Sequence, residues 1–282
     1  MERKILRSAA LALGVGCLAL AGCASGGGGT SAESSGGGDA STQSAASDGA
    51  ASNETRTLTV FAAASMEPTF TELVKTFEDE NEGVEVVFNF AGSQDLQEQI
   101  VEGAPADVFA SANEKQMAPV VEAGLNTTDP IIYATNELTI VTPPDNPEQI
   151  ATFQDLTKEG LLLVICAPEV PCGAATQKIV EASGITLKPV SEEQSVTDVL
   201  AKVQAGEADA GLVYKTDAIS AGDTVEAIAF PESADAVNKN PIVAVTTGTE
   251  PELGQEWVDF ILSDPVQQIL KDAGFGPAES DS

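Results

Sequence analysis

Apolar runs and helix-like segments alternate along most of this chain. The runs TLTVFAAAS and VEVVFNFAGS read as strands, as do residues 107–110, and each precedes a segment with helical spacing of its apolar residues. In the first such segment, Phe70, Leu73 and Phe77 fall on one face of a helix. Strands that alternate with helices are typical of α/β proteins, so the pattern predicts that class with mostly parallel sheets.

The strand pattern begins again near Tyr133. NELTIVTP and LLLVICAP read as strands, helices are predicted at residues 174–182 and 196–203, and AGLVYKTDA reads as a strand followed by a turn. The strand NPIVAVTTG and two further helices close the chain. Their simplest placement is beside the strands and helices that precede Tyr133. The chain is therefore expected to cross twice between two lobes.

The predicted lobe I comprises residues 56–135 and 242–279, and the predicted lobe II comprises residues 136–241. Each lobe would be a mostly parallel sheet flanked by helices. Because α/β proteins hold ligands where strand ends face a crevice, we expect the ligand in the cleft between the lobes.

The N-terminus has the features of an export signal. Basic residues precede a short apolar stretch at residues 11–20, which is too short for a comfortable membrane span. The sequence LAGC follows and resembles the bacterial lipobox, so residues 1–22 are expected to be a signal peptide and Cys23 a lipidated residue. An ordinary signal peptide, cleaved after a small residue, is the alternative. Residues 23–55 would begin with the anchor and form a flexible Gly/Ser tether spanning roughly 30 Å.

The charge balance excludes several classes of partner. The chain has 13 Lys plus Arg against 44 Asp plus Glu, a formal net charge of −31. Nucleic acid and anionic lipid headgroups are therefore poor partners, and the solubility of an exported protein accounts for the acidity. A small anion is still permitted, because exposed charges are screened over about 8 to 10 Å while donors in a cleft act at contact distance.

Two cysteines, Cys166 and Cys172, remain after the signal and the lipidation site are set aside. They lie around a turn in CAPEVPCG, and outside the cytoplasm such a pair is expected to form a disulfide. Their spacing is not the CxxC of a redox motif, although a thiol oxidoreductase stays as an alternative. Zinc is disfavoured because the chain contains no His.

Two serines end the first two apolar runs, just before predicted helices. Ser65 and Ser93 would each place a hydroxyl beside helix-start N–H groups that lack intrahelical partners. Neither position has a Lys or Arg beside it, so the sequence suggests an oxyanion site built from neutral donors. The alternative is that both serines are only N-caps, with Ser65 capping a helix whose first turn contains Pro68.

Other polar residues are expected to have structural roles. Asp107, Asp209 and Asp217 match neither a calcium loop nor a hydrolase dyad, so we predict that they cap turns and helices. Lys215 follows Tyr214 directly, and the alternation of side chains along a strand would aim it away from a ligand at Tyr214.

Five motifs together carry a family resemblance from about residue 57 to residue 275: VFAAASM, FAGSQDLQEQI, EGAPADVFASAN, CAPEVPCGAAT and AGLVYKTDA. In this order they resemble the molybdate-binding proteins of ABC transporters, the ModA type of bacterial substrate-binding protein. The resemblance implies a two-lobe, type II periplasmic-binding-protein fold. It also implies a binding protein rather than an enzyme, with no cofactor and no direct metal-ion ligands.

The resemblance also implies five contacts to a tetrahedral oxyanion. Ser65 and Ser93 would donate through hydroxyl and main-chain N–H groups, Cys172 and Val196 through main-chain N–H alone, and Tyr214 through its phenol. Many family members have Ala where this chain has Cys172, a change that a main-chain donor tolerates.

The expected function is the capture of molybdate, and of tungstate as well, by a monomer anchored by lipid on the outer face of the cell membrane. Its partners would be the permease and ATPase of an ABC transporter. Sulfate and tungstate-only binding are rival readings within the class, and ferric ion is disfavoured because His is absent and Tyr133 and Tyr214 stand far apart in sequence. From another class, a thiol oxidoreductase using Cys166 and Cys172 or an acidic adhesin remains.

Overall fold

The computed structural model describes residues 55–278. In this range strands and helices alternate, which confirms the predicted α/β class. The strands are β1 (Arg56–Ala63), β2 (Val84–Ala91), β3 (Val108–Ala110), β4 (Ile131–Asn136), β5 (Leu138–Thr142), β6 (Leu163–Cys166), β7 (Ser191–Glu193), β8 (Ala210–Tyr214), β9 (Glu226–Ile228) and β10 (Asn238–Ala244). The helices are α1 (Glu67–Glu80), α2 (Ser93–Val101), α3 (Glu114–Glu122), α4 (Pro171–Ser183), α5 (Val196–Gln204), α6 (Lys215–Ala221), α7 (Pro251–Leu262) and α8 (Asp264–Asp272).

Two five-stranded sheets share one plan, with strand orders β2-β1-β3-β10-β4 and β7-β6-β8-β5-β9. In the first, β1 is parallel to β2 and β3, whereas β10 is antiparallel to β3 and β4. In the second, β6 is parallel to β7 and β8, whereas β5 is antiparallel to β8 and β9. Both sheets are thus mixed, where the sequence pattern predicted mostly parallel ones. Parallel pairing requires a crossover connection, usually an α-helix. The chain instead passes from β4 directly to β5, and it returns to β10 from the second sheet without an α-helix between β9 and β10.

The chain passes between the sheets twice. Only Glu137 separates β4 of the first sheet from β5 of the second, and the return lies between β9 and β10. We call the elements packed around the first sheet (α1–α3, α7, α8) the first lobe and those around the second (α4–α6) the second lobe. Strand β10 enters the first sheet at Asn238, before the predicted boundary at residue 242, and the exact lobe limits stay a prediction.

A cluster of buried apolar side chains extends through both lobes. In the first lobe, Trp257 of α7 is fully buried and meets Phe70 and Phe77 of α1 edge to face, at ring-centroid distances of 5.7 and 5.0 Å. In the second lobe, Phe153 stacks on Phe230 at 5.2 Å. Such aromatic pairs add stability beyond the area they bury, so the helices and sheets that position the cleft are firmly held.

The three aspartates were predicted to cap turns and helices; all three accept main-chain hydrogen bonds, and Asp217 caps a helix as predicted. Asp107 accepts hydrogen bonds from the N–H groups of Thr59 and Glu250, at 2.8 and 2.7 Å. Asp209 accepts one from Leu162 at 2.8 Å, and the carboxylate of Asp217 accepts the N–H of Tyr214 at 2.9 Å. These bonds tie separate segments together and cap the start of α6.

The structure rules out one alternative and corrects one local prediction. Ser65 is not an N-cap: it lies in a 3-10 turn, Ala64–Met66, and α1 begins at Glu67 with Pro68 in its first turn. The segment after Tyr214 is not a turn but helix α6, because Asp217 caps the N–H of Tyr214 and so stabilises a helix start. Lys215 is therefore the first residue of a helix, where it is exposed.

None of the helices in residues 55–278 has the length and apolar character needed to span a membrane. The predicted signal peptide, the lipidated Cys23 and the tether up to residue 54 lie outside the described residues.

Candidate functional site

A cavity lies between the two lobes, where strand ends and helix starts meet. The first lobe contributes the ends of β1 and β2 and the start of α2, and the second lobe contributes the starts of α4 and α5 and the end of β8. The lining residues are Ala63, Ala64, Ser65, Ala91, Gly92, Ser93, Ala112, Val170, Pro171, Cys172, Ser195, Val196 and Tyr214.

The first-lobe half of the cavity presents two hydroxyls. Ser93 is the first residue of α2, and its Oγ accepts a hydrogen bond from the N–H of Ala112 at 3.0 Å, which leaves its own hydrogen free to donate. Ser65 is buried, and its Oγ has no hydrogen-bond partner within residues 55–278. A buried hydroxyl without a partner costs about 1 to 3 kcal/mol. The Ser65 hydroxyl is thus a donor that a ligand would satisfy.

The second-lobe half presents main-chain N–H groups. Cys172 and Val196 lie in the first turns of α4 and α5, where N–H groups have no intrahelical partner and the helix dipole favours an anion. The start of α4 packs closely on the preceding loop. A Cβ at Gly173 would lie 1.8 Å from the carbonyl oxygen of Ala167, so this approach requires glycine. The predicted disulfide between Cys166 and Cys172 is present at the same point.

Tyr214 completes the second-lobe half with a phenol. It is buried at the end of β8, and the side-chain amide of Asn238 donates a hydrogen bond to its Oη at 2.5 Å. Because Oη accepts from Asn238, the phenol hydrogen remains available for a ligand in the cavity. Burial raises the pKa of Tyr214, so the phenol keeps that hydrogen at neutral pH.

The cavity is small and uncharged. Its volume is about 20 Å³, which suits one small inorganic ion, since a single water molecule needs about 10 to 15 Å³. No acidic or basic side chain is among the lining residues named above. Elsewhere in the described part of the chain, no group of three or more His, Cys, Asp or Glu residues is arranged to hold a metal ion.

Comparison with known proteins agrees with the geometry. The family model of bacterial extracellular solute-binding proteins matches residues 58–276. The chain is 47% identical over 220 residues to the molybdate-binding protein ModA of Mycobacterium tuberculosis (strain ATCC 25618 / H37Rv), covering 78% of this chain and 84% of that protein. This chain belongs to the ModA family. Its members are substrate-binding proteins of ABC transporters, and the chain is accordingly a binding protein and not an enzyme.

More distantly similar proteins match about the same share of this chain. The molybdate-binding protein ModA of Escherichia coli (strain K12) is 31% identical over 237 residues, covering 80% of this chain and 91% of that protein. The periplasmic molybdate-binding protein of Azotobacter vinelandii superposes with a TM-score of 0.70 at 22% identity, covering 79% of this chain and 100% of that chain. This likeness confirms the two-lobe, type II fold that the sequence predicted.

The structure brings all five sequence-predicted site residues of this ModA-family chain to one cavity: Ser65, Ser93, Cys172, Val196 and Tyr214. Sequence reasoning missed the partners that orient them. Ala112 and Asn238 lie far along the chain from the residues they contact: Ala112 follows β3, which pairs with β1, and Asn238 lies at the start of β10, where β10 pairs with β4. No local pattern marks either residue.

Proposed function

We propose that this protein captures molybdate, and tungstate as well, and delivers the anion to the permease and ATPase of an ABC transporter. The observation that carries the proposal is the buried hydroxyl of Ser65, which has no partner within residues 55–278 and lies in an uncharged cavity among helix N-termini. Such a cavity offers hydrogen-bond donors without a cation. A fully deprotonated oxyanion is the ligand that needs this combination.

The proposed hydrogen-bond donors to the anion are the hydroxyl and N–H groups of Ser65 and Ser93, the N–H groups of Cys172 and Val196, and the phenol of Tyr214. Molybdate at neutral pH is a tetrahedral dianion without a proton, so all of its oxygens accept. Each hydrogen bond to a charged group contributes roughly 1.5 to 3 kcal/mol net. A handful of such bonds therefore reaches the ~8 kcal/mol of micromolar binding without Lys or Arg.

The absence of acidic side chains from the lining favours some oxyanions over others. Phosphate is partly protonated near neutral pH and would bring a donor to a cavity that has no carboxylate to accept it. Tungstate has the same charge and shape as molybdate, which supports its inclusion. Sulfate is the second candidate, because it also lacks a proton and differs from molybdate mainly in its smaller size.

The alternative of a thiol oxidoreductase is poorly supported. Cys166 and Cys172 are joined in a disulfide, and their exposed fractions are only 1% and 3%. A thiol must reach a sulfur atom to exchange with it, and burial prevents this approach.

Membrane attachment belongs to the same proposal. Cys23 follows LAG at the end of the apolar stretch, and a lipid at this residue would hold the binding domain close to its permease. The tether of residues 24–54 has no aromatic residue and is rich in Gly and Ser, which would let the domain move above the membrane. Metabolic labelling with a fatty acid, lost in Cys23→Ser, tests the anchor.

The decisive experiment is calorimetric titration of the purified protein with molybdate, tungstate, sulfate and phosphate. We expect micromolar or tighter binding of molybdate and tungstate, sulfate at least 100-fold weaker, and no heat from phosphate. Absence of molybdate binding would overturn the proposal. A preference for sulfate would move the assignment to the second candidate.

A further inference from the structure

Besides the amide of Asn238, which reaches Tyr214 from β10, two glutamine side chains bridge the lobes beside the cavity. Nε2 of Gln94, on α2, donates a hydrogen bond to the main-chain carbonyl oxygen of Gln194 at 2.9 Å. Nε2 of Gln116, on α3, donates to the carbonyl oxygen of Glu169 at 2.7 Å. Both glutamines belong to the first lobe and are buried, while both acceptors belong to the second lobe. Neither glutamine lines the cavity itself.

The two acceptors occupy equivalent places. Gln194 directly precedes Ser195, the N-cap of α5, and Glu169 directly precedes Val170, the N-cap of α4. In the second lobe, α4 and α5 are the helices whose starts line the cavity. Each glutamine therefore holds the loop that aims one second-lobe helix start at the site.

The bridge at Gln94 is closely fitted. A Cβ at Gly92 would lie 2.4 Å from Nε2 of Gln94 and 2.5 Å from the carbonyl oxygen of Gln194, so glycine leaves the room for this contact. Oε1 of Gln94 is buried without a hydrogen-bond partner within residues 55–278. A buried oxygen without a hydrogen bond is unfavourable. Packing within the first lobe therefore does not explain why an amide side chain is buried at this position.

We propose that Gln94 and Gln116 form an interlobe clasp that holds the closed state and sets how long the oxyanion stays bound. The inference rests on the proposed oxyanion-binding function. Both donors reach the second lobe only when the lobes are closed, and opening exchanges their bonds for water. Because the clasp does not touch the ligand, it acts on the population of the closed state and on release rather than on recognition.

The test compares Gln94→Leu, Gln116→Leu and the double variant with the wild type, using molybdate as the probe. Stopped-flow intrinsic fluorescence gives association and dissociation rate constants, and small-angle X-ray scattering reports closure on molybdate addition. Gln99→Leu is the matched control, because it removes an amide of α2 whose bond, from Asn89 to Gln99 at 3.1 Å, stays within the first lobe. If a leucine variant does not fold, the isosteric Gln→Glu change replaces it, since a carboxylate cannot donate to the carbonyl.

A neutral hydrogen bond corresponds to roughly a fivefold change in an equilibrium constant. We expect dissociation about fivefold faster in each single variant and about 25-fold faster in the double variant, with association within twofold of wild type and less compaction with molybdate. Gln99→Leu should match the wild type. An unchanged dissociation rate constant in the double variant would overturn the clasp and leave the proposed function standing. So would a fall in the association rate constant as large as the rise in the dissociation rate constant. A wild type that binds none of the oxyanions overturns the proposed function, and the clasp with it.

Discussion

In the proposed binding site, the two halves of the cavity use different donors. The first-lobe half presents the hydroxyls of Ser65 and Ser93, whereas the second-lobe half relies on the N–H groups of Cys172 and Val196 and on the phenol of Tyr214. A hydroxyl can be removed by one substitution, but a main-chain N–H stays whatever side chain is present. The halves therefore differ in how mutation can reach them. Side chains supply the hydroxyls of the first lobe, whereas in the second lobe only Tyr214 offers a side-chain donor and the other two donors can be changed only by moving the backbone.

The largest effect is expected from the first-lobe hydroxyls. Ser65→Ala removes a donor whose buried oxygen has no protein partner in residues 55–278, so nothing in the fold depends on it. Because a hydrogen bond to a charged group is worth roughly 1.5 to 3 kcal/mol, we expect molybdate affinity to fall about 10- to 100-fold. Calorimetry measures the loss of affinity, and the midpoint temperature of thermal unfolding without ligand should be unchanged or slightly higher.

The matching change in the second-lobe half is Val196→Ala. It keeps the main-chain donor at the start of α5 and removes only apolar side-chain atoms, so affinity should stay within about threefold of wild type. If Val196→Ala weakens binding as strongly as Ser65→Ala, the division between hydroxyl and amide halves is wrong.

The next effect concerns pH, because the buried side chain of Asp217 contacts Tyr214 of the second-lobe half. Burial raises the pKa of Asp217 to about 7, while its carboxylate accepts the N–H of Tyr214. The folded state therefore holds a proton that the unfolded chain, with an ordinary pKa of 3.8, releases earlier. The stabilising contribution of this proton is complete below about pH 4 and is lost as the pH rises through 7.

Asp217→Asn isolates this contribution, since its amide oxygen can still accept the N–H of Tyr214. Between pH 5 and pH 8 the free energy of unfolding of the wild type should fall by roughly 2 to 3 kcal/mol relative to the variant, as linkage requires. Urea unfolding of both proteins across this range measures the difference. Parallel pH curves would show that Asp217 is ionised throughout.

The sequence predicted more of the first-lobe half than of the second. Ser65 and Ser93 follow apolar runs directly, so strand and helix patterns alone marked them as candidates. Cys172 and Val196 were reached only through the family resemblance, because a residue that acts through its main chain has no side-chain signature. The placement of all five at one cavity followed from the predicted two-lobe plan.

What the sequence could not supply came from contacts between distant segments. Asn238 reaches Tyr214, and Gln94 reaches Gln194, across 24 and 100 residues of chain, and such pairings leave no local period to detect. The mixed sheets were missed for the same reason. The direction of β10 is fixed by its return from the second sheet, not by its own apolar pattern.

The third prediction concerns a substitution that displaces a main-chain donor of the second-lobe half. Gly173→Ala places a Cβ 1.8 Å from the carbonyl oxygen of Ala167, so the start of α4 must shift and carry the N–H of Cys172 with it. We expect molybdate affinity to fall about tenfold, the value of roughly one weakened hydrogen bond. Gln177→Ala, at an exposed position of the same helix, is the control and should bind as wild type. Equal affinities for all three proteins would mean that α4 does not position a donor.

The smallest effect on binding is expected from the disulfide. The double variant Cys166→Ala/Cys172→Ala keeps the N–H at residue 172, and the start of α4 is still held by the bond from the N–H of Ala174 to the carbonyl oxygen of Val170, at 2.8 Å. Affinity for molybdate should therefore stay within about threefold, whereas opening a short loop should lower the free energy of unfolding by about 2 kcal/mol. Calorimetry and urea unfolding of the same preparation separate the two outcomes. A loss of affinity above tenfold, with Gly173→Ala unaffected, would assign the positioning of this half to the disulfide instead of to the glycine contact.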